Sequence, residues 1–427
     1  MKSFKLLLAV VFALTALTIP AATSTAAVPQ PVLEDPGRNI SGNNANKWPS
    51  VAVGNGRVYV ASSAPNEANL VDSPEASSAF GGGKIGSVGS NSTYFNAAVA
   101  VGTAGTVHYV WINNGGTILH ASKSGTTWSP TRTVAAGQNF ANTLNVAVRG
   151  DNEVFVAWRH QGSENGSIGF AFSNTSGASW QVVKDVPAPA GAYAGRPDLV
   201  AGAPNLPAYV TWTGVDGNVY FATWTGTDFS TECLTCVRLG GRKDFFGSSI
   251  GMSTDGRPYI AWRSVSLGVY YSSRQPDGSW GFSRAFPDYP DISSVSIAVD
   301  KRDNVHLSWL SKQGSATNGY YAVQKPGQFF SDPLRVFSDS GAFKANIDLA
   351  VSLQPQSGYA HIAVESFRSG QFIHYSRVRV AGVGCDVSAA GSGDEVSSIR
   401  ALYQNPVFFP MVSKPPVVTP PPPPPTC

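Results

Sequence analysis

The sequence predicts an all-β chain that folds as a β-propeller of four-stranded antiparallel blades. Three observations indicate this fold class. A two-strand unit ending in a tight turn recurs about every 50 residues, the chain contains 44 Gly and 10 Trp, and helical periodicity is scarce. Repeats of about 40–50 residues that carry short strands are typical of propeller blades. The repeat predicts seven blades, with a six-bladed ring as the alternative.

The clearest copy of the repeat runs from Val154 to Trp180. In its first strand, Phe155 and Ala157 alternate with Val154, Val156 and Trp158, which is the period of a β-strand. Residues 168–172 form a returning strand, and a polar turn then leads into a strand that begins with a tryptophan. With a shorter apolar strand in front, each copy supplies strands A, B, C and D of one blade.

Two series of residues set the register of the seven copies. The Trp158 position is filled, in chain order, by Ser62, Trp111, Trp158, Trp212, Trp262, Trp309 and Val364. Three residues earlier there is always a flat ring: Tyr59, His108, Phe155, Tyr209, Tyr259, His306 and His361. Because both series recur at the same register in successive blades, we interpret them as core.

The chain divides into four parts. Residues 1–26 carry Lys2 and Lys5, an apolar run and a small-residue site, which is typical of an export signal and too short to span a bilayer. Residues 27–380 are the propeller, 381–412 a C-terminal extension and 413–427 a proline-rich tail. The last copy lacks a strand D, so we expect an N-terminal strand near Val28 to Leu33 to close the ring. Strands C and D of the first copy, within residues 66–90, have no clear pattern.

Charge and cysteine content narrow the function classes. Removing the signal lowers the formal net charge from +3 to about +1, and only 13% of residues are charged, so nothing favours nucleic acid or an anionic membrane. Cys233 and Cys236 lie in a loop after a strand, which predicts a local disulfide rather than redox chemistry. Five of the six histidines occupy ring positions of strands B and C, so no metal site or cofactor is predicted.

The turns between strands C and D resemble the Asp box, S-x-D-x-G-x-x-W. Ser173 to Trp180 fits this motif except that Thr175 replaces the Asp. Residues 121–128 and the shorter segment 276–280 are similar degenerate copies. On these turns and the strands around them, residues 45–380 resemble the sialidase-like, or Asp-box (BNR), β-propeller superfamily. The resemblance implies the architecture. It leaves the activity open, because the superfamily includes sialidases, other glycosidases, lectins and non-catalytic secreted propellers.

We expect the functional site on the top face, defined as the end of the ring that carries the B-to-C and D-to-A loops. The opposite face consists mostly of repeated turn residues. The candidate ligand-binding residues on the top loops are Arg159, His160, Glu164, Tyr193, Arg196, Asp198, Phe246, Arg263, Tyr289, Asp291, Lys312, Glu365 and Arg368. Aromatic rings stack on sugar faces, while arginine and carboxylate groups bind hydroxyls and carboxylates. The alternative is that the rings only cap the blades at the mouth of the channel.

The sequence therefore predicts a secreted or surface-displayed, monomeric propeller that binds a glycan or an extracellular protein through its top face. One alternative is an exo-glycosidase of the sialidase type. For that activity the resemblance requires an arginine cluster, for which Arg159, Arg196, Arg263 and Arg368 are available, with carboxylates from Glu164, Asp198, Asp291 or Glu365. The sialidase Arg-Ile-Pro motif is absent, and the most similar segment is Gly195-Arg196-Pro197. The other alternative is a non-catalytic scaffold module of a longer exported protein.

Overall fold

The architecture is all-β. The computed structural model describes residues 30–41, 47–64, 67–77, 79–87, 97–113, 115–137, 143–160, 167–187, 197–236, 245–264, 268–289, 291–340, 346–352, 358–366 and 372–380. Within these ranges the chain forms 29 strands and no helix. The predicted export signal, C-terminal extension and proline-rich tail lie outside the described residues.

After one N-terminal strand, the strands follow one another blade by blade, with four in most blades, five in blade two and three in blade seven. Strand β1 is Val32–Asn39. Blade one contains β2 (Lys47–Gly54), β3 (Arg57–Ala64), β4 (Glu67–Pro74) and β5 (Gly81–Ser87); blade two contains β6 (Ala97–Val101), β7 (Val107–Ile112), β8 (Ile118–Ser124), β9 (Thr127–Trp128) and β10 (Arg132–Ala135); blade three contains β11 (Thr143–Arg149), β12 (Glu153–Arg159), β13 (Ile168–Ser173) and β14 (Gln181–Val186). Blade four contains β15 (Asp198–Ala201), β16 (Ala208–Thr213), β17 (Val219–Trp224) and β18 (Phe229–Cys233); blade five contains β19 (Phe245–Met252), β20 (Pro258–Ser264), β21 (Gly268–Arg274) and β22 (Trp280–Phe286). Blade six contains β23 (Ile292–Val299), β24 (Val305–Gln313), β25 (Ala316–Gln324) and β26 (Leu334–Ser340), and blade seven contains β27 (Ile347–Val351), β28 (Tyr359–Ser366) and β29 (Phe372–Arg379).

Each blade is an antiparallel sheet whose strands pair in chain order from the inside outward. Blade two has one extra short strand, β9, which pairs with β8. Each strand A contacts strand A of the next blade, and β27 of blade seven contacts β2 of blade one. The sheets therefore form a closed ring of seven blades, which confirms the predicted fold class and its blade count.

The N-terminal strand closes the ring, as the sequence predicts. Strand β1 pairs antiparallel with β29 and so supplies the outermost strand of blade seven. Its bounds differ from the expected segment, because β1 extends to Asn39 with irregular register after Leu33 and again after Asp35. A segment containing Pro36-Gly37 lacks the alternation of side chains that marks a strand, so the sequence did not predict the second half of β1.

The hydrophobic core lies between the blades. Trp158 of blade three packs against Val110 and Ile118 of blade two, and Trp212 of blade four packs against Phe155 and Phe170 of blade three. All five tryptophans of the register series are buried. The register series is therefore core, because each tryptophan seals the contact with the preceding blade.

Polar side chains join the inner strands across the blade boundaries. Ser50 Oγ of blade one accepts a hydrogen bond from Val99 N of blade two at 3.3 Å, and Ser249 Oγ of blade five accepts one from Ile297 N of blade six at 3.1 Å. The innermost strand of a blade has one unpaired edge, whose N–H groups face the channel. These side chains satisfy part of that edge and fix neighbouring blades to each other.

Candidate functional site

Four of the predicted residues come together on the top face where blade five meets blade six. Arg263 lies near the end of β20, Tyr289 and Asp291 precede β23, and Lys312 lies near the end of β24. Lys312 N donates to the carbonyl of Asp291 at 3.2 Å. Arg263 Nη1 donates to the carbonyl of Ile292 at 2.6 Å, one residue further along the chain. We call Arg263, Tyr289, Asp291 and Lys312 the Tyr289 site.

The Tyr289 ring is held in place by three other aromatic rings. Its centroid lies 4.7 Å from that of Tyr320, 5.3 Å from that of Trp309 and 6.2 Å from that of Phe286, each in an edge-to-face arrangement. Trp309 is fully buried, whereas Tyr289 is only partly buried. The blade core therefore fixes the orientation of a ring that still reaches the surface.

Asp291 carries an exposed carboxylate on an unusual backbone conformation. Its φ of 48° lies in the left-handed region, which non-glycine residues adopt rarely and Asp more readily than most. The hydrogen bond from Lys312 N to its carbonyl helps to hold this conformation. Strained backbone that the surrounding structure maintains is common at ligand sites and aims a side chain in a fixed direction.

The two cations of the site differ in their surroundings. Burial lowers the pKa of the Arg263 guanidinium to about 10, so this group remains positively charged at neutral pH. Lys312 is partly exposed. The site thus combines a fixed aromatic ring with one carboxylate and two cations.

The carboxylate of Asp198, another predicted residue, accepts hydrogen bonds from the neighbouring blades. Oδ2 accepts hydrogen bonds from Ser249 Oγ at 2.7 Å and from Ile250 N at 2.8 Å, both in blade five. Oδ1 accepts from Leu199 N at 2.9 Å and from the Asn145 side-chain amide of blade three. One carboxylate therefore links three consecutive inner strands.

Glu365 has a comparable role where blade seven meets blade one. It is 1% exposed, and its Oε2 accepts from Asn346 Nδ2 at 2.7 Å and from Trp48 N at 3.2 Å. Trp48 has a φ of 54°, in the left-handed region. The Glu365 carboxylate therefore supports the entry to the first inner strand.

The remaining predicted residues are distributed over other blades. Arg159 ends β12, and the ring of His160 packs edge-to-face on Trp158 with centroids 5.7 Å apart. Phe246 is paired with Arg263 in the ladder between β19 and β20, and only its backbone is described. Glu164, Tyr193, Arg196 and Arg368 lie outside the described residues.

Of the polar residues that join inner strands, the sequence reasoning named only Asp198, as a candidate ligand contact, and it did not name Ser50, Ser249 or Asp348. Ser50, Asp198, Ser249 and Asp348 each accept the N–H of a residue in strand A of the following blade. A signal was available, because each of these residues stands directly before the apolar core residue of its own strand A. A polar residue at one register in several repeats indicates a contact between repeats rather than a ligand contact.

Cys233 and Cys236 form a disulfide with their Cα atoms 5.7 Å apart. Among the described residues, no group of three or more His, Cys, Asp or Glu side chains is placed to hold a metal ion. The described part of the chain also contains no helix long and apolar enough to cross a membrane.

Comparisons with known proteins place the chain by its fold. No family model matches the sequence, and no curated protein matches it. Among solved structures, an ulvan lyase from a new family of polysaccharide lyases, with a bound GlcA(1-4)Rha3S unit, superimposes with a TM-score of 0.56 at 12% identity, covering 79% of this chain and 95% of the lyase. The ulvan lyase without that saccharide gives a TM-score of 0.53 at 12% identity, covering 82% and 94%. A mutant Aleuria aurantia lectin with α-methyl-L-fucoside gives 0.47 at 11% identity, covering 69% and 97%. The chain shares a β-propeller fold with a polysaccharide lyase, and its likeness to the sialidase superfamily remains a prediction.

Proposed function

We propose that this protein is an exported carbohydrate-binding β-propeller whose top face binds a saccharide at the Tyr289 site. The observation that carries the proposal is the partly exposed Tyr289 ring, held by three aromatic neighbours beside the exposed carboxylate of Asp291. A sugar offers an apolar C–H face for stacking and hydroxyl groups around its edge. A fixed ring next to charged hydrogen-bonding groups complements both parts.

The rigidity of the site favours binding. A tyrosine that is already ordered loses little conformational freedom when a ligand stacks on it, so more of the contact energy remains as affinity. The backbone contacts of Asp291 and Ile292 with Lys312 and Arg263 place the polar groups before any ligand arrives. The two cations also extend the ligand range to acidic sugars, since they would pair with a carboxylate or sulfate.

The arrangement of the described carboxylates favours carbohydrate binding over glycoside hydrolysis. A glycosidase needs two carboxyl groups that face one scissile bond, about 5–10 Å apart. Asp198 and Glu365 both use their carboxylates in contacts between blades. Among the carboxylates predicted for catalysis, Asp291 is the described one whose side chain is exposed.

Export is supported by two features. The N-terminal 26 residues have the pattern of a secretory signal. The Cys233–Cys236 disulfide suits an oxidising compartment outside the cytosol. The proline-rich tail would act as an extended spacer that holds the propeller away from an attachment point.

The shared fold agrees with carbohydrate as the ligand class. The two superimposed lyase structures are of an enzyme that acts on a polysaccharide. Polysaccharides, including acidic and sulfated ones, therefore belong among the ligands to be tested.

The first prediction concerns glycan binding at the Tyr289 site. The exported chain is applied to an array of oligosaccharides and acidic polysaccharides, and both the retained protein and the mass of each glycan are measured. We expect retention without any change in glycan mass. We expect retention to fall by about tenfold or more in Tyr289→Ala and Asp291→Asn, because each substitution removes one half of the site.

Phe329→Ala is the matched control, because Phe329 is a 71% exposed aromatic in a C-to-D turn on the opposite face. Equal retention by Tyr289→Ala and the wild type would contradict the proposal. Shortened glycans would indicate a glycosidase, and products with the ultraviolet absorbance of an unsaturated uronate would indicate an eliminating lyase.

A further inference from the structure

A cavity of about 300 Å³ lies at the seam where blade seven meets blade one. We call it the seam cavity. Its lining residues come from the outer strands of blade seven and from strands B, C and D of blade one. The residues that carry the argument are Ser41, Val60, Ser62, Asn69, Phe80 and Ile373.

The seam cavity exists because blade one lacks its tryptophan. In blades two to six, the register series places a buried tryptophan against the preceding blade. In blade one the same position is Ser62, which faces blade seven and lines the cavity. Exchanging an indole for a hydroxymethyl group removes most of the volume that seals the other blade boundaries.

Strand D of blade one leaves the space open as well. Residues 81–83 are three consecutive glycines on the cavity wall. Gly82 has a φ of +124°, and a Cβ atom there would lie 2.4 Å from the carbonyl oxygen of Leu70, so only glycine fits. At Gly83 a Cβ atom would meet nothing within 4 Å. Neither Ser62 nor the glycines fill the gap.

The walls of the seam cavity are held by contacts that do not depend on a ligand. The Phe80 ring packs edge-to-face on Tyr375 of blade seven, with centroids 4.7 Å apart. Ser41 Oγ accepts a hydrogen bond from Ile373 N at 2.9 Å, which fastens the end of β1 to β29. Val60 and Ile373 are each 1% exposed. The cavity is therefore pre-formed, and its size is at the lower end of the range of about 300–1,000 Å³ for small-molecule sites.

The lining has the chemistry of a sugar site. Valine, isoleucine and phenylalanine side chains form its apolar surface, and Ser41, Ser62 and Asn69 contribute hydroxyl and amide groups. Among the lining residues that the structure describes, none is Asp, Glu, Lys, Arg or His. An uncharged lining of this kind favours a neutral ligand with one apolar face and several hydroxyl groups. We propose that the seam cavity binds a single neutral monosaccharide unit, as a second site separate from the Tyr289 site.

This inference goes beyond the proposed function and does not depend on it. The Tyr289 site is built from blades five and six, whereas the seam cavity is built from blades seven and one. A substitution at one site leaves the lining of the other unchanged. The two proposals can therefore fail separately.

The second prediction is that the exported chain binds neutral monosaccharides through the seam cavity. The probes are common neutral hexoses, 6-deoxyhexoses and N-acetylhexosamines, measured by ligand-detected saturation-transfer NMR. We expect at least one sugar to bind with a Kd of about 1 mM or tighter, which is typical of one small ligand in a shallow site. Ser62→Trp restores the side chain found in five other blades, so we expect it to keep the fold and to reduce the signal by about tenfold or more.

Two variants serve as controls. Ser62→Ala leaves the cavity open and should retain most of the signal, whereas Phe329→Ala, in an exposed turn outside both sites, should retain all of it. If circular dichroism shows that Ser62→Trp does not fold, Gly83→Leu narrows the cavity from strand D and takes its place. The proposal is overturned if no neutral sugar binds the wild type, or if a folded, filled variant binds as well as the wild type.

Discussion

Paired rings from strands B and C occupy equivalent core positions, and blade two fills both with histidine. His108 Nδ1 and His120 Nε2 lie 3.1 Å apart, and both side chains are buried. Burial lowers the pKa of His108 to about 4, and burial together with the neighbouring His108 lowers the pKa of His120 to about 3. The folded protein therefore holds both rings neutral at a pH where the unfolded chain would protonate them.

The third prediction follows from this pair and concerns stability in acid. Because the folded pKa values lie below the unfolded value of about 6.5, the unfolded state binds more protons as the pH falls below about 6.5. Stability is then lost progressively until the pH reaches the folded pKa values. Urea unfolding should give a free energy lower at about pH 5 than at about pH 7.5, with each histidine contributing up to about 2 kcal/mol.

The double variant His108→Phe, His120→Phe tests the cause of this loss. It reproduces the Phe155–Phe170 pair that blade three places at the same register. Its stability should depend less steeply on pH over the same interval. An unchanged slope would show that other groups cause the acid sensitivity.

The sequence predicted these residues as packing rings because they recur at one register. It could not reveal that His108 faces His120, since the facing depends on the pairing of β7 with β8. Sequence was limited in the same way for the candidate ligand-binding residues, because it does not show which groups a side chain contacts. The sequence selected Asp198 and Glu365 as ligand contacts because they lie at the ends of strands, but only the packing of neighbouring blades shows which groups their carboxylates bind.

The turn between β13 and β14, which the sequence analysis likened to the Asp box, is held by hydrogen bonds from its side chains. Ser173 Oγ accepts hydrogen bonds from Gly177 N at 2.9 Å and from Thr175 N at 3.2 Å. Thr175 Oγ1 accepts from Ser179 N at 3.0 Å, and Trp180 Nε1 donates to the carbonyl of Gly177 at 3.1 Å. A threonine hydroxyl thus provides an acceptor at the position where the predicted Asp-box motif has an aspartate.

The fourth prediction concerns this turn. Thr175→Ala removes the acceptor for Ser179 N and should lower the free energy of unfolding by about 1 kcal/mol. Thr175→Asp keeps an acceptor and gives it a charge. Its free energy of unfolding should therefore equal that of the wild type or exceed it by up to about 1 kcal/mol. Chemical denaturation of the two variants side by side measures both changes. Equal destabilisation by Ala and Asp would mean that the bond to Ser179 contributes nothing.

Strand prediction succeeded where apolar and polar side chains alternate clearly, and it failed where glycines take the place of those side chains. The seven pairs of strands A and B follow the two register series. In blade one, strands β4 and β5 were not located, because β5 begins with three glycines and has few side chains to alternate. Such a segment is strand only because β4 offers it a partner.

At the scale of the whole ring, closure joins segments that are far apart in the sequence. Strand β1 completes blade seven, and the Asp348 carboxylate joins three blades. Its Oδ2 accepts from Val51 N of blade one at 2.9 Å, and its Oδ1 accepts from Ser296 Oγ of blade six at 3.2 Å. Elsewhere in the ring a comparable bond joins consecutive blades, as Ser249 Oγ does with Ile297 N.

The fifth prediction separates these two kinds of junction. Asp348→Ala and Ser249→Ala each deprive a backbone N–H of a side-chain acceptor, so each should cost about 1–3 kcal/mol of global stability.

The two variants should differ in which strands open locally. The chain that connects β22 to β23 also holds blade five to blade six, whereas β27, β28 and β29 of blade seven are joined to β1 and β2 only by non-covalent contacts. Native-state hydrogen exchange should therefore show faster exchange in β1, β2 and β29 for Asp348→Ala, while Ser249→Ala leaves these strands protected. Because Ile373 of β29 and the residues that follow β1 line the seam cavity, opening of β1 and β29 would also weaken sugar binding there. Identical exchange patterns in the two variants would show that the seam is no weaker than the other blade boundaries.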